Sequence, residues 1–417
     1  MNRRSLSLLA FLGLGLAGHA AAEGFRLYGM SAEGQMRGEA LVASSQGPEA
    51  NWYNPAALAS AEANHAVAGG LNFLVADTEY TSTTGQSVKN HDKYFPLPSL
   101  YYSQKMGDRW AVGLGVNTPF GLSTAYDNSA PFSFITTGGN VQLLNISPNA
   151  AFKVTDALSL GLGVNYYKSS AELRQVVPYS LVGGTDSPLK IEGEGDGVGL
   201  NTGLLVKLSG TQNVGLTYKS EVTINYDGKS AHIDNAPGNQ PFDTGVKTQL
   251  RFPDMVGMGW SFQPSKRWDV EIGGQWTNWA DMKKVDVAFD SPLPGPAGPI
   301  SKTSTQFDWK NTWTARIGGT CALTDLWKVS GGYFYTTTPT RESTYTPLVP
   351  DGNHHVFSVG GTYTKGPLTV GIPAVLILQT GSSSIHNNIS EGYGVQNVNG
   401  KYDLIAFQLG LSAGWRF

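Results

Sequence analysis

The chain has 417 residues, a formal net charge of -3 and a single cysteine, Cys321, which excludes an internal disulfide and gives no basic surplus of the kind a nucleic-acid partner requires. Mean hydropathy is -0.18, and no run of apolar residues is long enough to cross a bilayer as a helix, which excludes a helical membrane protein. A transmembrane β-barrel passes that test, because its strands turn apolar side chains outward at only every second residue. With 52 Gly, 18 Tyr, 17 Phe and 10 Trp, composition alone also fits a secreted β-sandwich or propeller.

Residues 1–22 read as an export signal: Arg3 and Arg4 precede an apolar core from Leu6 to Leu16, and Ala20-Ala21-Ala22 forms a small-residue cleavage site. Removing both arginines takes the charge to about -5. Residues 23–62 are rich in Gly, Ala and Ser and hold neither a period of two nor one of 3.6. Such a segment buries too little apolar surface to fold alone. Trp52, Tyr53 and the turn-forming Asn54-Pro55 nevertheless call for a packed location, so the expectation is a plug inside a barrel built by residues 63–417.

Periodicity supports the barrel. In the last strand, Lys401 to Phe417, Ile405, Phe407, Leu409, Leu411, Ala413, Trp415 and Phe417 share one face. Leu158, Leu160, Leu162, Val164 and Tyr166 alternate likewise with Ser159, Gly161, Gly163 and Asn165, and Trp110, Val112, Leu114 and Val116 with Ala111, Gly113, Gly115 and Asn117. The second face is mostly Gly, Ser and Asn, as suits a lumen filled by other protein. Short turns near Gly107-Asp108, Thr155-Asp156, Ser209-Gly210, Pro264-Ser265, Thr324-Asp325 and Gly366-Pro367 alternate with long connections near 82–93, 120–139, 171–194, 228–245, 287–304, 336–353 and 381–400. Fourteen strands, with periplasmic turns and outer loops, account for this asymmetry. The expected fold class is therefore all-β: a transmembrane antiparallel barrel of about fourteen strands with an N-terminal hatch plugging the lumen. Phe417 ends the chain as the aromatic that barrel-assembly machinery reads in bacterial outer-membrane proteins.

Four segments, in their order and spacing, resemble the outer-membrane long-chain fatty acid and aromatic-hydrocarbon transporters of the FadL/TodX type. The start Glu23-Gly24-Phe25 is similar to that family's Gly-Phe N-terminus, and Asn54-Pro55-Ala56 to its hatch motif. Thr118-Pro119-Phe120-Gly121-Leu122 resembles the end of its third strand, and Val349-Pro350-Asp351 with His354-His355 its motif before the twelfth. The resemblance implies a monomeric channel in the Gram-negative outer membrane, among lipid and lipopolysaccharide. In it, a hydrophobic molecule is caught at outer loops, moves to a pocket beside the hatch and leaves sideways at a kinked third strand. Fatty acids are the first expected substrate and monoaromatic hydrocarbons the alternative. One departure stands in the hatch, where Ser44-Ser45-Gln46-Gly47 replaces the family's acidic pair.

Candidate ligand-binding residues follow. Phe25 reads as a pocket residue or as hatch packing. Arg174 reads as a cation for a fatty carboxylate or as an ordinary loop arginine. Phe132, Phe134, Ile135 and Leu181 read as a capture surface or as loop packing. Gly113, Gly115, Pro119 and Gly121 are candidates for a gap at strand three, Pro119 because it donates no ladder hydrogen bond. Asp269 and Glu271 point inward and read as partners of hatch Arg26 and Arg37 rather than an acid–base pair. His354-His355 lacks further ligands, so no metal is expected. No nucleophile–base pair or phosphate loop is found, so neither an enzyme nor a cofactor is expected. A lipase-type barrel and an open porin are the remoter alternatives.

Overall fold

The computed structural model describes residues 23–61, 63–227, 230–380, 385–386 and 398–417. The expected export signal at 1–22 and most of the last outer loop lie outside them. Fourteen long strands form the wall: β1 (His65–Ser82), β2 (Tyr94–Met106), β3 (Trp110–Ala125), β4 (Gly138–Lys153), β5 (Leu158–Val177), β6 (Ser187–Ser209) and β7 (Gln212–Lys219), then β8 (Met255–Ser265), β9 (Trp268–Thr277), β10 (Thr312–Ala322), β11 (Trp327–Thr336), β12 (Asn353–Lys365), β13 (Leu368–Thr380) and β14 (Gly400–Arg416). Each pairs antiparallel with its neighbour, and β14 returns to β1 from Ala66↔Arg416 to Ser82↔Gly400. Closure leaves no free edge, which the bilayer demands because hydrocarbon satisfies no backbone N–H or C=O.

The alternation places the side chains as the pattern requires. Ile405, Phe407, Leu409 and Leu411 on β14, and Leu160 and Leu162 on β5, are exposed on the outer wall. Trp110, Trp268, Trp327, Trp415 and Phe417 are also exposed, at the short-turn end, where they form an aromatic girdle. Among the described residues no helix is long and apolar enough to cross a membrane.

Two expectations about connections need correction. The segments expected as loops near 228–245 and 287–304 are largely hairpins. Ser230–Ala236 pairs with β6 and with Gln240–Phe252, which pairs in turn with Val222–Tyr226 and Lys284–Gly295, and the last of these with Gly298–Gln306. They stay ordered because they bury an apolar face of their own, with Ile191, Ile233, Val246, Val287 and Phe289 at its centre. Likewise β3 and β5 run on through residues expected to begin loops, to Ala125 and Val177.

Residues 23–61 lie inside the wall. Helix α1 (Ala32–Met36) starts at Ser31, whose Oγ accepts from Gly34 N at 3.0 Å; α2 (Ala50–Tyr53) leads into a 3-10 turn, Pro55–Ser60, capped by Asn54, whose side chain accepts from Ala56 N at 3.1 Å. Asn54 Nδ2 donates to Val42 O (2.8 Å) and to Leu204 O on β6 (3.1 Å). The wall is hollowed to receive this segment: a Cβ on Gly161 would collide with Ala56 N, on Gly203 with Asn54 Oδ1, on Gly215 with Val42 O and on Gly318 with Arg37 O. Arg37 pairs with Asp269 at 2.8 Å. Arg26, by contrast, pairs with Glu23 (2.6 Å), and Glu271 takes three neutral donors, Val42 N (2.7 Å), Ala43 N (3.0 Å) and Ser44 Oγ (2.6 Å). Ser44, in the departing stretch, is thus part of the anchor.

Replacing Glu271 with Leu strands two buried N–H groups and a hydroxyl, at about 1–3 kcal/mol for each unsatisfied donor. The expected result is loosened seating of residues 42–44, measured as faster protease cleavage there in an intact barrel; Glu271→Gln, which keeps acceptor capacity, is expected to cost less.

Candidate functional site

The wall is not uniformly closed. The β2–β3 ladder runs from Met106↔Trp110 to Leu100↔Val116 and stops, although β2 stays paired to β1 as far as Tyr94 and β3 to β4 as far as Ala125. A seam therefore separates Tyr94–Ser99 from Asn117–Ala125, and the β3–β4 register shifts between Asn117 and Phe120. Pro96, Pro98 and Pro119 bring no ladder donors to it. Above the seam the wall closes again: His91 N donates to Ala125 O at 2.8 Å and Ser123 Oγ to Asp92 Oδ2 at 2.6 Å.

The N-terminal segment occupies the vacant pairing of β3 from the lumen side. Leu27 N donates to Pro119 O (2.9 Å), Gly121 N donates to Phe25 O (2.8 Å), and Arg26 bridges Phe120. Phe25 then projects into a box of aromatic rings: Trp309 at 5.0 Å, Trp279 at 5.8 Å and Phe307 at 6.4 Å between centroids, with Phe120 against Phe252 (5.1 Å) and Trp279 (6.1 Å). All are buried, and Trp279 Nε1 has no hydrogen-bond partner among the described residues. Gly24 has a φ of +72°, and a Cβ there would lie 2.7 Å from the Trp309 ring, so only glycine lets the chain pass so close.

Asp351, in the outer connection before β12, holds this segment from above. Its Oδ2 accepts from Gly24 N (3.0 Å) and Thr338 Oγ1 (2.7 Å), while Oδ1 has no hydrogen bond and faces His354 Nδ1 at 3.6 Å. Burial pushes its carboxyl up to about 7, against the opposing pull of the Gly24 and Thr338 hydrogen bonds.

Beside the box lies a cluster of cations. Arg26 and Arg316 each donate to Gln275 Oε1 at 3.1 Å, and Arg316 also to Glu39 O at 2.9 Å. Lys219 is 8 % exposed, lies 4.4 Å above the Trp52 ring and has no carboxylate partner among the described residues. It lines a cavity of 20 Å³ with Met255, Gln275 and both arginines, room for about one water. Arg26 has Glu23 as its ion partner, whereas the Glu39 carboxylate accepts from Gly29 N (3.1 Å) and Tyr53 Oη (2.9 Å), so the basic side chains here outnumber the acids that pair with them.

The sequence candidates divide. Phe25, Pro119 and Gly121 meet at the seam. Gly113 and Gly115 do not: they sit in the continuous ladder opposite Ser103 and Tyr101, and the space beside Gly113 is taken by Asn51 of the hatch. Asn54, Pro55 and Ala56 seat the hatch on β5 and β6. Arg174 is not a free cation, since its Nε pairs with Glu172 at 3.0 Å and its Nη2 donates to Thr124 O at 3.2 Å. Phe132 is not exposed for capture either: it packs under Tyr80 and Tyr126, and Phe134 is buried as well. Ile135 is half-buried against the same cluster, and only Leu181 stands exposed, at a loop tip beside Val182. Sequence reading missed Pro96 and Pro98, whose spacing of two marks one side of a strand as undonating. It also missed Trp279, Phe307 and Trp309, which fall in breaks between strands.

A closed fourteen-stranded barrel with an apolar outer face, a filled lumen and an aromatic box at an unpaired seam defines a class: an outer-membrane transport barrel. The chain belongs to the outer membrane protein transport family (OMPP1/FadL/TodX), whose model matches residues 13–417. It is 25% identical over 386 residues to the long-chain fatty acid transport protein of an Escherichia coli O6:H1 strain, covering 82% of this chain and 84% of that one. It is 25% identical over 415 residues to outer membrane protein P1 of Haemophilus influenzae, covering 88% of each. Among solved structures, a Pseudomonas aeruginosa FadL homologue matches with a TM-score of 0.82 at 18% identity, over 94% of this chain and 100% of that one. The Pseudomonas putida toluene transporter TodX matches with a TM-score of 0.76 at 19% identity, over 95% and 100%.

The Asp351 contact carries a pH dependence. Its carboxyl titrates near 7 when buried against an ordinary value of 3.8, so the closed arrangement binds the proton more tightly than an opened, solvated one. Closure is therefore strongest at low pH and weakens as pH rises through 7. Intrinsic fluorescence of the Trp279–Trp309 pair is expected to shift red from pH 5 to 8, and Asp351→Asn to flatten that response; a shift of opposite sign would exclude the contact as the titrating element.

Proposed function

We propose that this protein is a passive channel for hydrophobic molecules carrying an anionic head, long-chain fatty acids first among them. The carrying observation is that one segment, Phe25 to Leu27, fills both the aromatic box and the β2–β3 seam. A ligand that takes the place of Phe25 in the box withdraws the strand that seals the wall, and an apolar tail then has a sideways route into the membrane. No energy source is required, since transfer into hydrocarbon favours each buried CH₂ by about 0.8 kcal/mol. In this reading residues 1–22 direct export, 23–62 act as the hatch and 63–417 as the barrel, which inserts through the assembly machinery with Phe417 as its signal and works as a monomer. No chemical step is assigned to it.

Lys219 supports the anionic head. A buried basic side chain with no acid of its own, near the aromatic box, offers a carboxylate or carboxylic acid head a hydrogen-bond partner and gives a bare hydrocarbon nothing. The fatty acid transport protein among the relatives agrees with this choice. The wholly aromatic lining of the box favours the second reading, uptake of monoaromatic hydrocarbons, in line with the toluene transporters among the structural neighbours.

The two readings separate on one substitution. Lys219→Met is expected to lower fatty acid uptake by cells about tenfold or more, the size of one charge-assisted hydrogen bond, and to leave toluene uptake unchanged. Equal loss of both substrates, or of neither, rejects the anionic head. Phe25→Ala, which weakens the plug of the box, is expected to raise leakage of small ions in planar bilayers, and unchanged conductance rejects the coupling of box and seam.

A further inference from the structure

The two ends of the barrel differ in how their cations are satisfied. On the outer side most pair with acids, among them Lys93 with Asp77 at 2.8 Å, Lys190 with Glu172 and Glu192 at 3.2 and 3.0 Å, and Lys302 with Asp286 at 2.8 Å. At the short-turn end, which faces the periplasm, Arg109, Lys153, Lys207, Lys266, Arg267 and Lys365 stand exposed or half-exposed with no carboxylate partner among the described residues. The turns there also hold Asp108, Asp156 and Asp325, for which no ion pair is found among the described residues. These cations lie just beyond the aromatic girdle, at the depth of the headgroups of the periplasmic leaflet.

Three of them stand at the foot of a groove. On the outer face of β4 to β8 the register aligns Ala150, Leu162, Thr202, Tyr218 and Val256 in one row, with Phe152, Leu160, Leu204 and Leu216 in the row below. Small Thr202 on β6 lies low between exposed Leu160 and Leu162 on β5 and exposed Leu216 and Tyr218 on β7, and small Ala150 on β4 leaves a second hollow on the other side of β5. The result is a groove of 640 Å³ turned toward lipid. Its foot is the tilted ring pair Trp110–Phe152, 4.5 Å between centroids, and the adjoining residues in sequence are Arg109 and Lys153. Lys207 lies near the end of β6, three residues below Leu204 and beside a register shift.

We infer that groove and cations together hold an anionic phospholipid of the periplasmic leaflet. One acyl chain lies along Thr202 between the β5 and β7 ridges, and the phosphate meets Arg109, Lys153 and Lys207. The two lysines alternate toward the lumen side of the last rung, and their four-carbon stems carry the ammonium groups around the rim while the charged ends stay in water. The partner is a lipid rather than an acidic protein because the groove is lined by apolar side chains on the face turned to hydrocarbon, and because the three cations next to its foot, with no ion pair among the described residues, stand at headgroup depth, where a phosphate lies.

The test is native mass spectrometry of the purified full chain with added phosphatidylglycerol or phosphatidylethanolamine. Phosphatidylglycerol is expected to be retained preferentially. The triple change Arg109→Gln/Lys153→Gln/Lys207→Gln is expected to weaken its binding by about a hundredfold. Thr202→Trp, which fills the groove and leaves the charges, is expected to abolish it. The control Lys266→Gln/Arg267→Gln/Lys365→Gln removes as much charge away from the groove and is expected to leave retention unchanged. Equal retention of both lipids, equal loss in the control, or full competition by inorganic phosphate overturns the inference. If the triple variant fails to show the heat-dependent gel mobility of a folded barrel, the unaltered protein decides: phosphatidylglycerol retention that persists in about 1 M salt overturns it equally.

Discussion

Every peptide group at membrane depth must find its hydrogen bond inside the protein, and the rest of this structure depends on how that rule is met where the wall opens. Between Tyr94–Ser99 and Asn117–Ala125 the ladder fails. In bare hydrocarbon such a failure is costly for each orphaned group. The chain meets the rule from within: Phe25 and Leu27 give β3 the partner that β2 withholds, and prolines at 96, 98 and 119 reduce the number of donors needing one. The fold around it follows from the same demand, since the seam can be mended from inside only if something is held inside.

That holding is done with small residues and neutral hydrogen bonds more than with ion pairs. The glycines at 161, 203, 215 and 318 let backbone meet backbone, so the lumen face is a mould for the hatch and not a lining for water. Glu271 shows the economy of the arrangement, with one carboxylate receiving the main chain of residues 42 and 43 and the hydroxyl of Ser44.

Much of this was legible in the sequence, and the limits were physical. Alternation along Leu158–Tyr166 and Ile405–Phe417 has a period that only a strand supplies, and one face made of Gly, Ser and Asn points to a filled barrel. The outer hairpins were hidden because length was taken as the mark of a loop, although Val285, Val287 and Phe289 alternate as strands do. Gly113 and Gly115 were assigned to the gap because a missing side chain looks like an opening, whereas here it is a berth for Asn51. For Arg174 and Phe132 the sequence leaves binding and loop packing both open, because no single-sequence signal shows that Glu172 or Tyr80 stands beside them. The aromatic box escaped notice for the same reason: Phe25, Phe252, Trp279 and Trp309 are far apart in the chain and share no period.

The seal across the seam is written in main-chain atoms, Leu27 N to Pro119 O and Gly121 N to Phe25 O, while the box beside it is written in side chains. Main-chain pairing is indifferent to most substitutions; ring packing is not. If the box receives the cargo as proposed, leak-tightness and substrate preference are stored in separate alphabets, and relatives of this architecture have room to exchange one cargo for another by changing rings and charges around position 25 without having to reinvent the gasket.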